Sequence, residues 1–163
     1  MKSRLRTISA GGAVVLTAIG VFIATFVGGW EGKRNRAYKD IVGVATICYG
    51  ETRGVEMGDV KTDAECLAML GDALVEFEQG MRKCLGSAAD TVPDSTYVAF
   101  LSLAYNIGTG AFCRSTVVRR ATTGDVRGAC DAILAFNRAG GRVVYGLQRR
   151  RAAERELCLR DIT

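Results

Sequence analysis

The 163-residue chain contains no histidine, and that absence excludes more chemistry than any single motif asserts. Ser-His-Asp and Cys-His catalysis, and the usual histidine-containing zinc sites, all need an imidazole. Whatever reaction this chain performs must run on carboxylates, hydroxyls, lysine or backbone groups. Proline is nearly missing too: Pro93 stands alone, which suits a compact, largely helical protein. No two cysteines form a CxxC pair, so metal-site spacing is absent and neither metal nor cofactor is expected. Gly108-Thr109-Gly110 is not followed by a GxGxxG or Walker pattern, which rules out a nucleotide loop.

Acidic residues are absent before Glu31, whereas Lys2, Arg4 and Arg6 precede a long uncharged stretch. Setting those three aside leaves 19 basic against 17 acidic residues, so the net charge of +5 falls to +2. That balance is too mild for a nucleic-acid partner, which calls for a basic stripe. It is compatible with anionic cell wall and equally with ordinary solubility. The length allows one domain with a real core.

From Thr7 to Trp30 the chain reads TISAGGAVVLTAIGVFIATFVGGW, uncharged and long enough to cross a bilayer as a helix. The basic residues before it predict a cytoplasmic N-terminus, with everything after Trp30 exported to the periplasm and tethered to the inner membrane. The span is weakly apolar. Its Ile, Val, Leu and Phe residues contribute roughly −3 to −6 kcal/mol on the insertion scale, diluted by Gly11, Gly12, Gly20, Gly28 and Gly29. Insertion is favourable but shallow, so escape is physically conceivable. Two readings compete: a cleaved signal peptide, with Val27-Gly28-Gly29 as a small-residue site, and a permanent anchor.

All six cysteines (Cys48, Cys66, Cys84, Cys113, Cys130 and Cys158) follow that stretch, which fits disulfides formed after export. Fifteen pairings are open to six cysteines, roughly counted as in any such framework. The expectation here is Cys48–Cys66, Cys84–Cys113 and Cys130–Cys158; buried free thiols are the alternative.

Residues 37–51, AYKDIVGVATICYGE, predict short strands and turns. Thr62-Asp63-Ala64-Glu65 has the form of a capping box, opening a helix with Leu67, Leu70, Leu74, Phe77 and Met81 on one face. Pro93 marks a second helix, continued by Tyr97, Leu101 and Ala104 and ended by Gly108 and Gly110. Shorter helices are predicted over 115–122, 125–136 and 146–159. The Arg149-Arg150-Arg151 run, like Arg119 and Arg120, reads as a solvated helix face. The class is α+β, mostly helical: a small sheet, then a helical lobe, with an N-terminal apolar helix.

Usable chemistry is densest directly after the span, where Glu31, Asp40 and Thr46 lie among Gly32, Tyr38, Lys39, Gly43, Tyr49 and Gly50. Glycoside hydrolysis needs an acid for the leaving oxygen and a second group to guide water or stabilise charge at the sugar. A Glu at the end of an apolar segment and an Asp in a glycine-flanked turn are two carboxylates in different surroundings. Taken alone, such a pair is more often surface charge.

Glu31, eight residues, Asp40, five residues, then Thr46 resembles the catalytic pattern of the phage-type lysozymes, glycoside hydrolase family 24. Tyr105-Asn106-Ile107-Gly108-Thr109-Gly110-Ala111-Phe112 with Ser115-Thr116 resembles the family's central helix and turn. Gly146-Leu147, Arg149-Arg150 and Glu154 resemble its C-terminal helix. Two departures are Cys48, where a small residue is common, and Glu51, where histidine or another polar group is common. The resemblance implies a lysozyme-like sheet and helical lobe and a muramidase acting on peptidoglycan by inversion. Glu31 would be the general acid. Asp40 would orient the attacking water or stabilise the oxocarbenium-like transition state, and Thr46 would position that water; Asn106 would lie near the cleft as a substrate-binding residue. The subgroup it is similar to is the signal-anchor-release endolysins, monomers held inactive by a membrane segment (here residues 1–29) ahead of a catalytic domain (30–163). With the span in lipid, Glu31 is pinned at the membrane surface, away from Asp40 and Thr46.

A lytic transglycosylase would cleave the same bond without adding water, and Asp40 with Thr46 argues for hydrolysis instead. A silent peptidoglycan-binding protein is a different class, opposed by the complete triad. A holin would need most of its length in membrane.

Overall fold

The computed structural model describes residues 3–8, 14–40 and 42–162, which divide into two compact units, Met1–Val75 and Glu76–Thr163. The fold is mostly helical, with three small two-stranded sheets among the described residues.

In the first unit the uncharged segment is not one helix. Strands β1 (Arg6–Ile8) and β2 (Val14–Leu16) pair antiparallel, Arg6 opposite Leu16, and the helix α1 covers only Ala18–Glu31. Residues 9–13 of the expected span, with Gly11 and Gly12, lie outside the described residues. Among the described residues no helix is long and apolar enough to cross a membrane. The reason for the break is local. The Thr17 hydroxyl accepts the Gly20 amide and caps α1, while the Thr17 amide donates to the Leu5 carbonyl at 2.8 Å, turning the preceding chain back.

Gly20, Ile23, Ala24 and Val27 are the buried residues of α1, at the i, i+3, i+4, i+7 spacing of one helix face. A Cβ on Gly20 would sit 2.3 Å from the Leu5 carbonyl oxygen, so only glycine lets the buried Leu5 lie across the helix there. Leu16 packs against Gly71, and Arg6 pairs with Asp72.

After α1, β3 (Arg34–Lys39) and β4 (Ala45–Cys48) pair antiparallel, with an irregularity between Arg34 and Tyr38. Ala37, Ile47, Cys48 and Cys66 form their core, with Tyr49, Val55 and Met69 packed against it. Helix α2 (Asp63–Leu85) begins at the capping box read from sequence. The Glu65 amide donates to the Thr62 hydroxyl, and the Glu65 carboxylate accepts the Thr62 amide at 2.7 Å. Leu70, Leu74 and Met81 are fully buried on its inner face.

In the second unit a short α3 (Ala88–Thr91) leads past Pro93 into α4 (Asp94–Ile107), buried at every position from Ser95 to Ala104. Around it stand α5 (Thr109–Cys113), α6 (Thr116–Thr122), α7 (Val126–Ala132) and α8 (Tyr145–Leu159). The helix expected over 125–136 is shorter than that, passing into a 3-10 turn at Ile133–Ala135. A two-residue hairpin of β5 (Arg138–Ala139) and β6 (Arg142–Val143) precedes α8.

The structure joins Cys48 to Cys66, Cys84 to Cys113 and Cys130 to Cys158, and no cysteine is free. Closing loops of 18, 29 and 28 residues removes unfolded-state entropy. Each is worth about 3–4 kcal/mol in the chain-entropy picture. The first ties β4 to the start of α2, the second the end of α2 to α5, and the third α7 to α8.

Candidate active site

Glu31, Asp40 and Thr46 all fall in the first unit, on consecutive elements. Glu31 is the last residue of α1 and is half-buried; three residues later the chain enters β3 at Arg34. Asp40 directly follows β3, and Thr46 lies in β4 opposite Tyr38. The tight β3–β4 connection thus brings the aspartate and the threonine close along one hairpin, while α1 delivers the glutamate to its entrance.

Asp40 is not simply solvated. Its Oδ1 accepts the amides of Val42 and Val44, both at 2.9 Å, and its own amide donates to the Val44 carbonyl at 3.0 Å. Two backbone donors on one oxygen fix the carboxylate plane. Thr46 is buried, its hydroxyl donating to the Val44 carbonyl at 3.0 Å. With that hydrogen committed, its oxygen lone pairs remain to accept from a water.

The turn after β4 is rigid. Ile47 and Glu51 exchange backbone hydrogen bonds at 2.9 and 3.0 Å, and Cys48 adopts a left-handed φ of 58°. The Glu51 carboxylate accepts from the Arg53 guanidinium and from the amides of Thr52 and Arg53. The hydrogen bond from Arg53 is the main reason its pKa is lowered to about 2, against an opposing push from burial.

The second unit holds a buried ionic network where the arginine run predicts a solvated helix face. Arg150 and Arg151 are 4% and 0% exposed, so that expectation is corrected. Only Arg149 of the run is exposed; Arg119 and Arg120 are exposed as expected. Arg150 and Arg151 close on the fully buried Glu154 at 3.1 and 2.9 Å, and Ser102 of α4 donates to the same carboxylate at 2.6 Å. Burial pushes the Glu154 pKa up, and the two guanidiniums and the hydroxyl oppose it. Asn106 joins the network, its Oδ1 accepting from Arg151 at 3.0 Å. It does not cap its own helix. The signal in the sequence was the spacing of Glu154, three and four residues after Arg151 and Arg150, which puts all three on one helix face.

The Phage lysozyme family model matches residues 28–154, from the last turn of α1 into α8. The chain belongs to the phage lysozyme family. It is a lysozyme-type enzyme, a muramidase. Among its relatives, the SAR-endolysin of Bacteriophage PS119 is 36% identical over 92% of this chain and 89% of that one. The SAR-endolysin of Enterobacteria phage P21 is 37% identical over 91% and 89%. The fold is similar to the active form of the P1 phage endolysin Lyz, with a TM-score of 0.76 and 26% identity, covering 90% of this chain and 86% of that one. The secreted inactive form of the same endolysin matches at a TM-score of 0.57 and 22% identity, covering 90% and 97%.

Proposed function

We propose that this phage lysozyme hydrolyses the β-1,4 bond between N-acetylmuramic acid and N-acetylglucosamine in peptidoglycan and so lyses the host cell. Glu31 donates a proton to the glycosidic oxygen as the bond from the anomeric carbon breaks. Water held by Thr46 and oriented by Asp40 adds to the opposite face of that carbon as the Asp40 carboxylate takes its proton, giving inversion. Asn106 is assigned to substrate binding on the family resemblance.

The enzyme is exported uncleaved, held inactive in the inner membrane by residues 7–30, with its N-terminus in the cytoplasm, and switched on when that segment leaves the bilayer. The observation that carries this reading is that Glu31 rides on the segment itself, as the last residue of α1. A membrane-embedded α1 cannot also pack Ile23, Ala24 and Val27 into the domain, where they are fully buried. The described conformation is then the released one. The higher TM-score with the active form of the P1 endolysin supports this at the level of fold.

The test is turbidity clearing of purified peptidoglycan by the full chain and by Glu31→Gln, with masses of the released sugars. Clearing by the parent alone, with products carrying one added water, is the expected result. Products lacking that water would mean transglycosylation, and clearing by the variant would remove Glu31 from the mechanism. Fractionation of expressing cells should find the intact chain first in the membrane and later in the periplasm; a mature chain starting near Gly29 would refute release.

A further inference from the structure

We infer that Tyr49 is a positioning residue for Glu31, acting through the bare backbone of Gly28. The inference rests on the reading of Glu31 as the acid.

Gly28 precedes Glu31 by three residues in α1, so the two share one face of the helix. The Tyr49 ring lies against that face. A Cβ built on Gly28 would stand 3.1 Å from Tyr49 Cε1, 3.3 Å from Cζ and 3.4 Å from the hydroxyl oxygen. Only a residue without a side chain lets an aromatic ring approach the last turns of this helix so closely.

Tyr49 is itself held from behind. Cys48, the residue before it, is bonded to Cys66 in α2, and the flanking Ile47 and Glu51 are joined by two backbone hydrogen bonds. Gly50 adds a third bond, donating to the Ile47 carbonyl at 3.1 Å. The same turn continues the strand that carries Thr46, three residues upstream. One rigid turn therefore presses on the helix bearing the acid and extends the strand bearing the hydroxyl that holds water. The ring sets the spacing between them.

Gly29 supplies an internal control, because a Cβ there meets nothing within 4 Å. Gly28→Ala and Gly29→Ala add the same methyl group to the same segment, but only the first forces the ring and helix apart by a few tenths of an ångström. A 1 Å error in catalytic geometry costs about a hundredfold, so roughly half an ångström costs about tenfold. On purified full-length protein, Gly28→Ala should lower kcat about tenfold with KM unchanged, whereas Gly29→Ala should stay within about twofold of the parent. Tyr49→Leu in the Gly28→Ala background should recover part of the lost kcat, which a loss of folded protein would not do. Should Gly28→Ala fail to fold, Tyr49→Leu alone, outside the span, carries the test and should lower kcat at unchanged KM. Equal kcat for the two alanine variants, a loss that follows Tm alone, or an unaffected Tyr49→Leu would overturn the inference. Clearing by Glu31→Gln would instead overturn the reading beneath it.

Discussion

Helices α1 and α4 are each 14 residues long, yet they spend their apolar character differently. α1 has no charged residue before its last position, but buries only Gly20, Ile23, Ala24 and Val27. Val21 and Phe22 are 47% and 39% exposed on its outer side. α4 carries Ser95, Thr96, Ser102 and Asn106 among its apolar residues and is nonetheless buried from Ser95 to Ala104. The Thr96 and Ser102 hydroxyls are matched to partners, Thr96 donating to the Cys158 carbonyl and Ser102 to Glu154, while the buried Ser95 hydroxyl has no hydrogen-bond partner among the described residues. The more apolar helix is the less buried one. Folding alone does not account for the composition of α1; the proposed residence in a bilayer before folding would.

The comparison breaks most sharply at the network beside α4. Removing Glu154 by Glu154→Ala strands two buried guanidiniums and should cost about 3–5 kcal/mol, read as a fall in denaturation midpoint. A loss below about 1 kcal/mol would show that Arg150 and Arg151 find water instead.

Within α1 the two faces should separate. Ile23→Ala removes a fully buried side chain and should destabilise the folded enzyme by about 2–4 kcal/mol. Phe22→Ser, on the exposed face, should change that stability by less than about 1 kcal/mol, yet shorten the time the chain spends in the membrane fraction. Equal effects on stability would erase the distinction between the helix that folds and the span that inserts.

A smaller effect than that of Ile23→Ala is a pH dependence in the turn after β4. The folded Glu51 pKa, about 2, lies below its ordinary value of 4.5, so its stabilisation is fully present above about pH 4.5 and is lost as pH falls toward 2. Trp30, the sole tryptophan, sits at the end of α1 and can report the change by fluorescence. Glu51→Gln should cost about 1–2 kcal/mol at neutral pH and flatten the acid slope. An unchanged slope would show that Arg53 does not hold this turn.

Much of the helical framework was legible because its signals are local. The Thr62–Glu65 capping box and Pro93 each act within one turn of chain, so the starts of α2 and α4 follow from a few adjacent residues. The order Glu31, Asp40, Thr46 was legible as a spacing, and the β3–β4 hairpin then places the last two. The amides that fix Asp40 were not legible, since they belong to Val42 and Val44, whose side chains carry no message about their backbone. Nor was the split of residues 7–30 into strands and a helix. An apolar run has no period to announce a turn, and the cap at Thr17 forms only with Leu5 laid across Gly20.

By itself the sequence determined the chemistry this protein has to work with: no imidazole, a glutamate at the end of an apolar segment, and an aspartate and threonine at fixed distances after it. It also determined the helices whose caps are adjacent residues. Tertiary structure alone decided that Arg150 and Arg151 are buried, because their charge is tolerable only beside Glu154 and Ser102, and Ser102 is 52 residues from Glu154 along the chain. It likewise decided that Tyr49 bears on Gly28 and that α1 turns one face inward. Contacts between distant segments have no local signature, since their free energy exists only once both surfaces have met.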